Sequence, residues 1–177
     1  MRAPLVDLEE FIPGLAVELR YATARHFLGQ PLYDSPRALL VEPVARRLAE
    51  VEHTARRHGF GLKVWDAFRP RAAQERMWVA CPDPRFVAPP ERGSRHTRGV
   101  AVDVTLIDRS TGREVPMGTD FDAFVPESAT EHPTLPAEVL ANRRRLRDWM
   151  ESGGFEGIAS EWWHFHARDW EAFPLLD

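Results

Sequence analysis

Two short segments carry side chains that could do chemistry together. Ser94-Arg95-His96-Thr97-Arg98-Gly99-Val100-Ala101-Val102-Asp103 supplies an imidazole and a carboxylate, and Glu161-Trp162-Trp163-His164 supplies a carboxylate and a second imidazole. His96, Asp103 and His164 make a three-ligand zinc set that leaves the fourth tetrahedral position to water, the arrangement of catalytic rather than structural zinc. Glu161 is then a spare carboxylate, free to handle protons. The expectation is one Zn2+ per chain.

Each of these residues also has a plainer role open to it. Asp103 interrupts an apolar strand, where an unpaired carboxylate is costly, so it needs a cation: zinc, or an arginine such as Arg69 or Arg98. His96 could be a surface or capping histidine, and it shares a metal with Asp103 only if the chain turns at Gly99. Glu161 and His164 are three residues apart, which in a regular strand sends them to opposite faces, so Glu161 must sit at a bend or bulge. His166 is a competing ligand on the His164 face and reads as a supporting or structural residue. His26, His53, His58 and His132 read as surface or loop histidines. Cys81 has no adjacent base and reads as a packed thiol.

The elements that must position these groups follow from periodicity. Val17 to Tyr21 alternates like a strand, and Pro31 to Pro36 breaks regular structure after it. Val44, Leu48, Val51 and Ala55 recur at helical spacing after Pro43, with a stop at His58-Gly59. Leu62, Val64 and Trp65 suggest a strand with Asp66 and Arg69 at its far end, followed by a helix over about 71–80. The proline-rich stretch between Cys81 and Gly93 is expected to shape the rim of a site. Val100 to Ile107 alternates, with Val100, Val102, Val104 and Leu106 on one face and Ala101, Asp103 and Thr105 on the other. A helix marked by Leu140, Leu146, Trp149 and Met150 ends at Gly153-Gly154, and Trp162 to His166 forms a last strand. Strands separated by helices without regular βαβ alternation predict an α+β fold, with a central, mostly antiparallel sheet flanked by helices and the zinc site at the sheet.

The 177 residues, 44% of them hydrophobic, suit a single domain over 1–177 with a real core. A net charge of -4 argues against a nucleic-acid surface, and the run Arg143-Arg144-Arg145-Leu146-Arg147 reads as the solvated face of a helix. One cysteine excludes an intrachain disulfide. With no signal-like or membrane-spanning stretch, the expected location is cytoplasmic and no membrane partner is expected.

The pattern Ser-x-His-x-x-Gly-x-Ala-x-Asp over Ser94 to Asp103, followed by Glu-x-x-His over Glu161 to His164, resembles the D-alanyl-D-alanine dipeptidases of the VanX type, zinc D,D-peptidases of the peptidase M15 family. Further segments resemble the family in the same order. They are Leu19-Arg20-Tyr21-Ala22-Thr23 with Phe27, Gly29 and Tyr33; Trp65-Asp66-Ala67-Phe68-Arg69-Pro70; Met117-Gly118-Thr119 with Phe121-Asp122; and Glu161-Trp162-Trp163-His164-Phe165. The resemblance covers nearly the whole chain. Arg25-His26 departs from it, at a position that bears on the entrance to the site.

The resemblance implies hydrolysis of D-Ala-D-Ala to two D-alanines. His96, Asp103 and His164 would bind zinc, Glu161 would act as general base and then acid, and Arg69 would stabilise the transition state. Zinc lowers the pKa of bound water to about 7, and an always-charged guanidinium favours the developing oxyanion. Asp122 would face the substrate ammonium, Tyr21 and Ser94 would donate to substrate oxygens, and Asp66 would orient Arg69. Plainer roles stay open: an ion pair with Asp66 for Arg69, and turn caps for Asp122 and Ser94. Trp162 and Trp163 read as packing. Two other readings also stay open, a D,D-carboxypeptidase or L,D-endopeptidase of the same metal class, and a non-catalytic zinc- or peptide-binding module.

Overall fold

Strand β5, Ala101–Asp108, runs through the middle of a five-stranded sheet and is buried on both faces over its first six residues. The computed structural model describes residues 3–33, 37–84 and 87–176. Pro36, at the end of the expected break, lies outside the described residues.

A two-stranded antiparallel sheet pairs β1 (Leu5–Asp7) with β3 (Leu39–Val41). The main sheet contains β2 (Ala16–Val17), β4 (Phe60–Asp66), β5, β6 (Phe155–Ile158) and β7 (Glu161–Ala167), in the order β2-β4-β5-β7-β6. Only the β2–β4 pairing is parallel, so the sheet is mostly antiparallel, as the alternating pattern predicts.

Among the described residues the α-helices are the single turn α1 (Leu8–Phe11), α2 (Glu42–Arg57), α3 (Arg71–Ala80) and α4 (Ala137–Ser152). In α2, Pro43 occupies the first turn, where its missing N–H is harmless, and Val44, Leu48, Val51 and Ala55 are buried. Glu52 is buried on the same helix and accepts from the Leu62 N–H at 2.6 Å and from Arg56 Nε at 2.6 Å, which fixes α2 to β4. Helix α4 packs on β6 and α2 and ends at Gly153, and Gly154 follows at φ 85, the left-handed turn that glycine permits.

Two expectations need correction. The strand predicted over Val17 to Tyr21 stops at Val17, and Arg20–Ala22 forms a 3-10 turn. Alternation would have sent Arg20 and Tyr21 to opposite faces, yet both are buried, Arg20 over the Trp65 ring and Tyr21 under the backbone of Leu32 and Tyr33, whose N–H groups both donate to its carbonyl. The arginine run of α4 is also not wholly solvated. Arg143 is 1% exposed, with Nε donating to the Met117 carbonyl at 2.8 Å and Nη1 to the carbonyls of Glu127 and Ala129 at 2.9 and 2.7 Å. Burial pushes its pKa down to about 10. It pins the loop over 117–129 instead of facing water.

Candidate active site

Two irregularities in the sheet bring the reactive side chains into register. Val64 of β4 lies opposite Val104, but Asp66 lies opposite Asp103, so Trp65 is one extra residue in β4. Asp103 in turn lies opposite His164 of β7. Asp66, Asp103 and His164 therefore form a row across three adjacent strands, with side chains on one face. A second irregularity sits in β7: Gly157 of β6 pairs with Phe165, and the next residue, Ile158, pairs with Glu161. The residues between Glu161 and Phe165 bulge, which is how Glu161 and His164 reach one cavity from positions three apart.

His96 arrives from outside the sheet, on the 3-10 turn His96–Arg98. Gly99 ends that turn at φ 68, and a Cβ there would lie 3.0 Å from Leu5 Cδ2 and 3.3 Å from Leu176 Cδ1. Glycine is thus required by conformation and by space. The turn is tied on two further sides, since the Val41 N–H donates to the Gly99 carbonyl and the Leu176 N–H to the Thr97 carbonyl, both at 3.0 Å.

The three expected ligand atoms converge. His96 Nε2 and His164 Nδ1 are 3.2 Å apart, His164 Nδ1 and Asp103 Oδ1 3.0 Å, and His96 Nε2 and Asp103 Oδ1 3.4 Å. A tetrahedral zinc ion with bonds of about 2.0–2.1 Å separates its ligands by about 3.3 Å, so the triangle fits that ion. The tautomer fits as well: His96 Nδ1 lies 2.7 Å from the Ala67 carbonyl and donates to it, which leaves the Nε2 lone pair facing the other two groups. All three residues are buried. Burial alone would raise the Asp103 pKa, but His96 and His164 hold it well below the usual carboxylate range, and burial lowers that of His164. An ionised carboxylate and a neutral imidazole are the states that ligate.

His166 stands beside His164, with ring centres 5.6 Å apart, and is not part of the triangle. Burial, reinforced by the neighbouring His164, pushes its pKa down to about 3, so it is neutral. The arginine alternative for Asp103 finds no support: the carboxylate that Arg69 meets is Asp66.

A cavity of about 400 Å3 opens onto the triangle, and Glu161, Arg69, Asp122, Tyr21 and Ser94 all line it. Burial raises the Glu161 pKa to about 8, with the charges of Asp103 and Asp122 adding to the effect. Arg69 Nη2 and Nε donate to Asp66 Oδ2 at 2.7 and 3.2 Å, and its guanidinium lies 4.9 Å from the centre of the Tyr21 ring. Asp66 is fully buried behind Arg69 and does not line the cavity. Ser94 Oγ accepts from the Thr97 N–H at 3.1 Å and so caps the turn that carries His96. Asp122 stands out among the described residues as the non-glycine residue with positive φ, at 53°. Asp tolerates that conformation better than most residues, and its carboxylate accepts from the Tyr21 hydroxyl at 2.6 Å. Burial raises the Asp122 pKa to about 7 although this hydrogen bond opposes the shift. Trp163 lines the cavity, whereas Trp162 donates to Thr119 Oγ1 at 2.8 Å.

Sequence reasoning missed two supports. The Tyr33 hydroxyl donates to Asp66 Oδ1, so both carboxylate oxygens of Asp66 are held. Gln74 Oε1 accepts from Arg69 Nη1 at 3.1 Å while its Nε2 donates to the Ala88 carbonyl at 2.7 Å, joining Arg69 to the proline-rich rim. Gln74 sits on the inward face of α3 beside Ala73 and Met77, a helical period that was its one signal. His26, expected in a surface or loop role, lies in a loop and is half-buried, with its ring edge-on to Tyr21 at 4.8 Å.

Comparison with known proteins gives one consistent picture. Residues 1–173 match the peptidase M15 family described as D-ala-D-ala dipeptidase. The chain is 41% identical over 172 residues to a D-alanyl-D-alanine dipeptidase of Escherichia coli (strain K12), covering 97% of this chain and 89% of that protein. It is 33% identical over 187 residues to one of Enterococcus faecium, covering 94% and 92%. Among solved structures it is similar in fold to the LdcB LD-carboxypeptidase, with a TM-score of 0.53 at 17% identity over 95% of this chain and 71% of that one.

Proposed function

The chain belongs to the D-Ala-D-Ala dipeptidase family of M15 peptidases, and from that premise we propose how its own residues carry out hydrolysis of the free dipeptide D-Ala-D-Ala. The observation that carries the proposal is the triangle of His96 Nε2, Asp103 Oδ1 and His164 Nδ1 opening into the cavity that Glu161, Arg69 and Asp122 line. These three ligands would hold one Zn2+. When bound, the ion supplies Lewis acidity and activation of water.

The remaining roles belong to the protein. Glu161 takes a proton from the attacking water and returns it to the leaving amine. Arg69 offers a fixed positive charge to the oxygen that becomes negative in the tetrahedral intermediate, and Asp66, Tyr33 and Gln74 prevent the guanidinium from drifting. Asp122 receives the substrate ammonium. Because the Tyr21 hydroxyl is donated to Asp122, Tyr21 acts by setting that carboxylate rather than by donating to substrate. Ser94 holds the His96 turn and presents its hydroxyl to the cavity. Among the described residues no helix is long and apolar enough to cross a membrane. A cytoplasmic location, where a small unlinked dipeptide is the substrate, belongs to the same proposal.

The test compares D-Ala-D-Ala, L-Ala-L-Ala and N-acetyl-D-Ala-D-Ala, with and without chelator. The expected result is hydrolysis of the free D,D-dipeptide, lost on chelation and restored by zinc. Preference for the N-acylated substrate would point to a carboxypeptidase and overturn this reading. Activity that survives removal of the metal would overturn the mechanism.

A further inference from the structure

Among the arginines that line the cavity, Arg69 and Arg95 differ in one respect. Arg69 is paired with Asp66, but among the described residues no carboxylate forms an ion pair with Arg95, whose buried Nε has no hydrogen-bond partner. Glu156 on β6 acts on Arg95 only through space. The backbone at Arg95 is fixed: its φ and ψ are helical, and its carbonyl accepts from the N–H groups of Arg98 and Val100. The side chain therefore leaves a rigid turn, directly before the ligand His96, and its guanidinium rests 4.9 Å from the centre of the Trp170 ring. Stacking on an indole holds a guanidinium while leaving its in-plane donors available for a planar anion. Arg98 shares that ring at 5.3 Å, but its Nη1 already donates to the Phe173 carbonyl.

The cavity is polarised by these groups. Asp122 accepts from Tyr21, whose ring lies against Arg69, the partner of Asp66 at the end of β4. Arg95 lines the same cavity and stacks on Trp170, just past the end of β7. A dipeptide zwitterion carries its own opposite charges at the two ends of about 7 Å of chain. Its ammonium on Asp122 would direct its carboxylate away from β4, toward the end of β7 where Arg95 lies.

Resting on the dipeptidase reading, we propose that Arg95 is the anchor for the substrate's C-terminal carboxylate and makes a free C-terminus a requirement of this site. The carboxylate supplies the anion that the guanidinium lacks, through two parallel N–H···O bonds.

The test uses zinc-loaded wild type, Arg95→Gln and Arg95→Lys on two substrates, D-Ala-D-Ala and D-Ala-D-alaninamide, which lacks the terminal charge. Wild type is expected to favour the free acid. Arg95→Gln should lose about ten- to a hundredfold in kcat/KM on the free acid, mainly through KM, and little on the amide, so that discrimination collapses. Arg95→Lys should recover part of it, since charge returns without the fork. Zinc content and Tm should not move. Equal losses on both substrates, or undiminished discrimination in Arg95→Gln, overturn the assignment. If Arg95→Gln does not fold, an Arg95→Lys protein with the wild-type acid-to-amide ratio and full activity overturns it as well. A wild type inactive on the free dipeptide sinks the dipeptidase reading itself, and this proposal with it; an active wild type with an indifferent Arg95 sinks only the anchor.

Discussion

The Tyr21 hydroxyl donates to Asp122 Oδ2 at 2.6 Å, joining a 3-10 turn to a loop 101 residues further along the chain. The bond stabilises the ionised carboxylate against a burial effect that raises its pKa to about 7. An ammonium anchor must be ionised, so KM for D-Ala-D-Ala should rise as pH falls through about 7. In Tyr21→Phe the opposing hydrogen bond is gone, the Asp122 pKa climbs further, and the rise in KM should begin at higher pH. Asp122→Asn, which suits the same backbone conformation, should abolish this dependence and raise KM at every pH. KM-against-pH profiles of the three proteins decide the matter; parallel profiles would remove Asp122 from substrate binding.

Glu161→Gln should lower kcat by about a hundred- to ten-thousandfold while zinc stays bound. The same substitution should stabilise the metal-free protein. A carboxyl whose folded pKa is raised to about 8 contributes stability at acid pH and loses it as pH rises through that value. In the absence of metal, Glu161→Gln should therefore melt above wild type near pH 8 and close to it near pH 5. Melting curves at the two pH values check this; a Tm difference that is the same at both would refute the burial argument.

Arg69→Ala should reduce kcat by about a hundred- to a thousandfold with little change in zinc content. Asp66→Ala should be worse for the fold, because it leaves the Arg69 guanidinium buried without its partner and frees the Tyr33 hydroxyl, a class of change that costs about 3–5 kcal/mol. Denaturant unfolding separates the two. If Asp66→Ala is as stable as wild type, the pair is not the internal support described here.

Arg143→Leu should leave the Met117, Glu127 and Ala129 carbonyls without their donors, at about 1–3 kcal/mol for each that stays buried. Because that loop carries Asp122, KM should rise while turnover at saturation is largely kept. A variant that loses stability with unchanged KM would detach the loop from substrate binding.

How much of the fold and site was legible in the sequence depended on the range of the signal. Alternation over Val100 to Ile107 revealed a strand, and a carboxylate within it implied a cation, so local pattern alone marked Asp103 as part of a site. The spacing of Glu161 and His164 demanded a bulge, and β7 has one. What local pattern cannot hold is contact between distant segments. Tyr21 looked like a strand residue because its neighbours alternate, but its burial against Tyr33, Phe121 and Arg69 decides its conformation. Arg143 looked solvated because arginines usually are, and only the folded loop supplies the three carbonyls that draw it inside. Gln74 and Tyr33 drew no role for the same reason: their partners lie on other elements.

The turn at Gly99 has a consequence for measurements made far from the cavity. Leu5 and Leu176, from opposite ends of the numbering, press on the same side of that turn, and hydrogen bonds from Val41 and Leu176 hold it from both flanks. These segments act as a clasp on His96, so mechanical slack introduced there should be read at the metal. Leu5→Ala and Leu176→Ala touch no catalytic group, yet they should weaken zinc retention during dialysis against chelator before they affect the secondary structure.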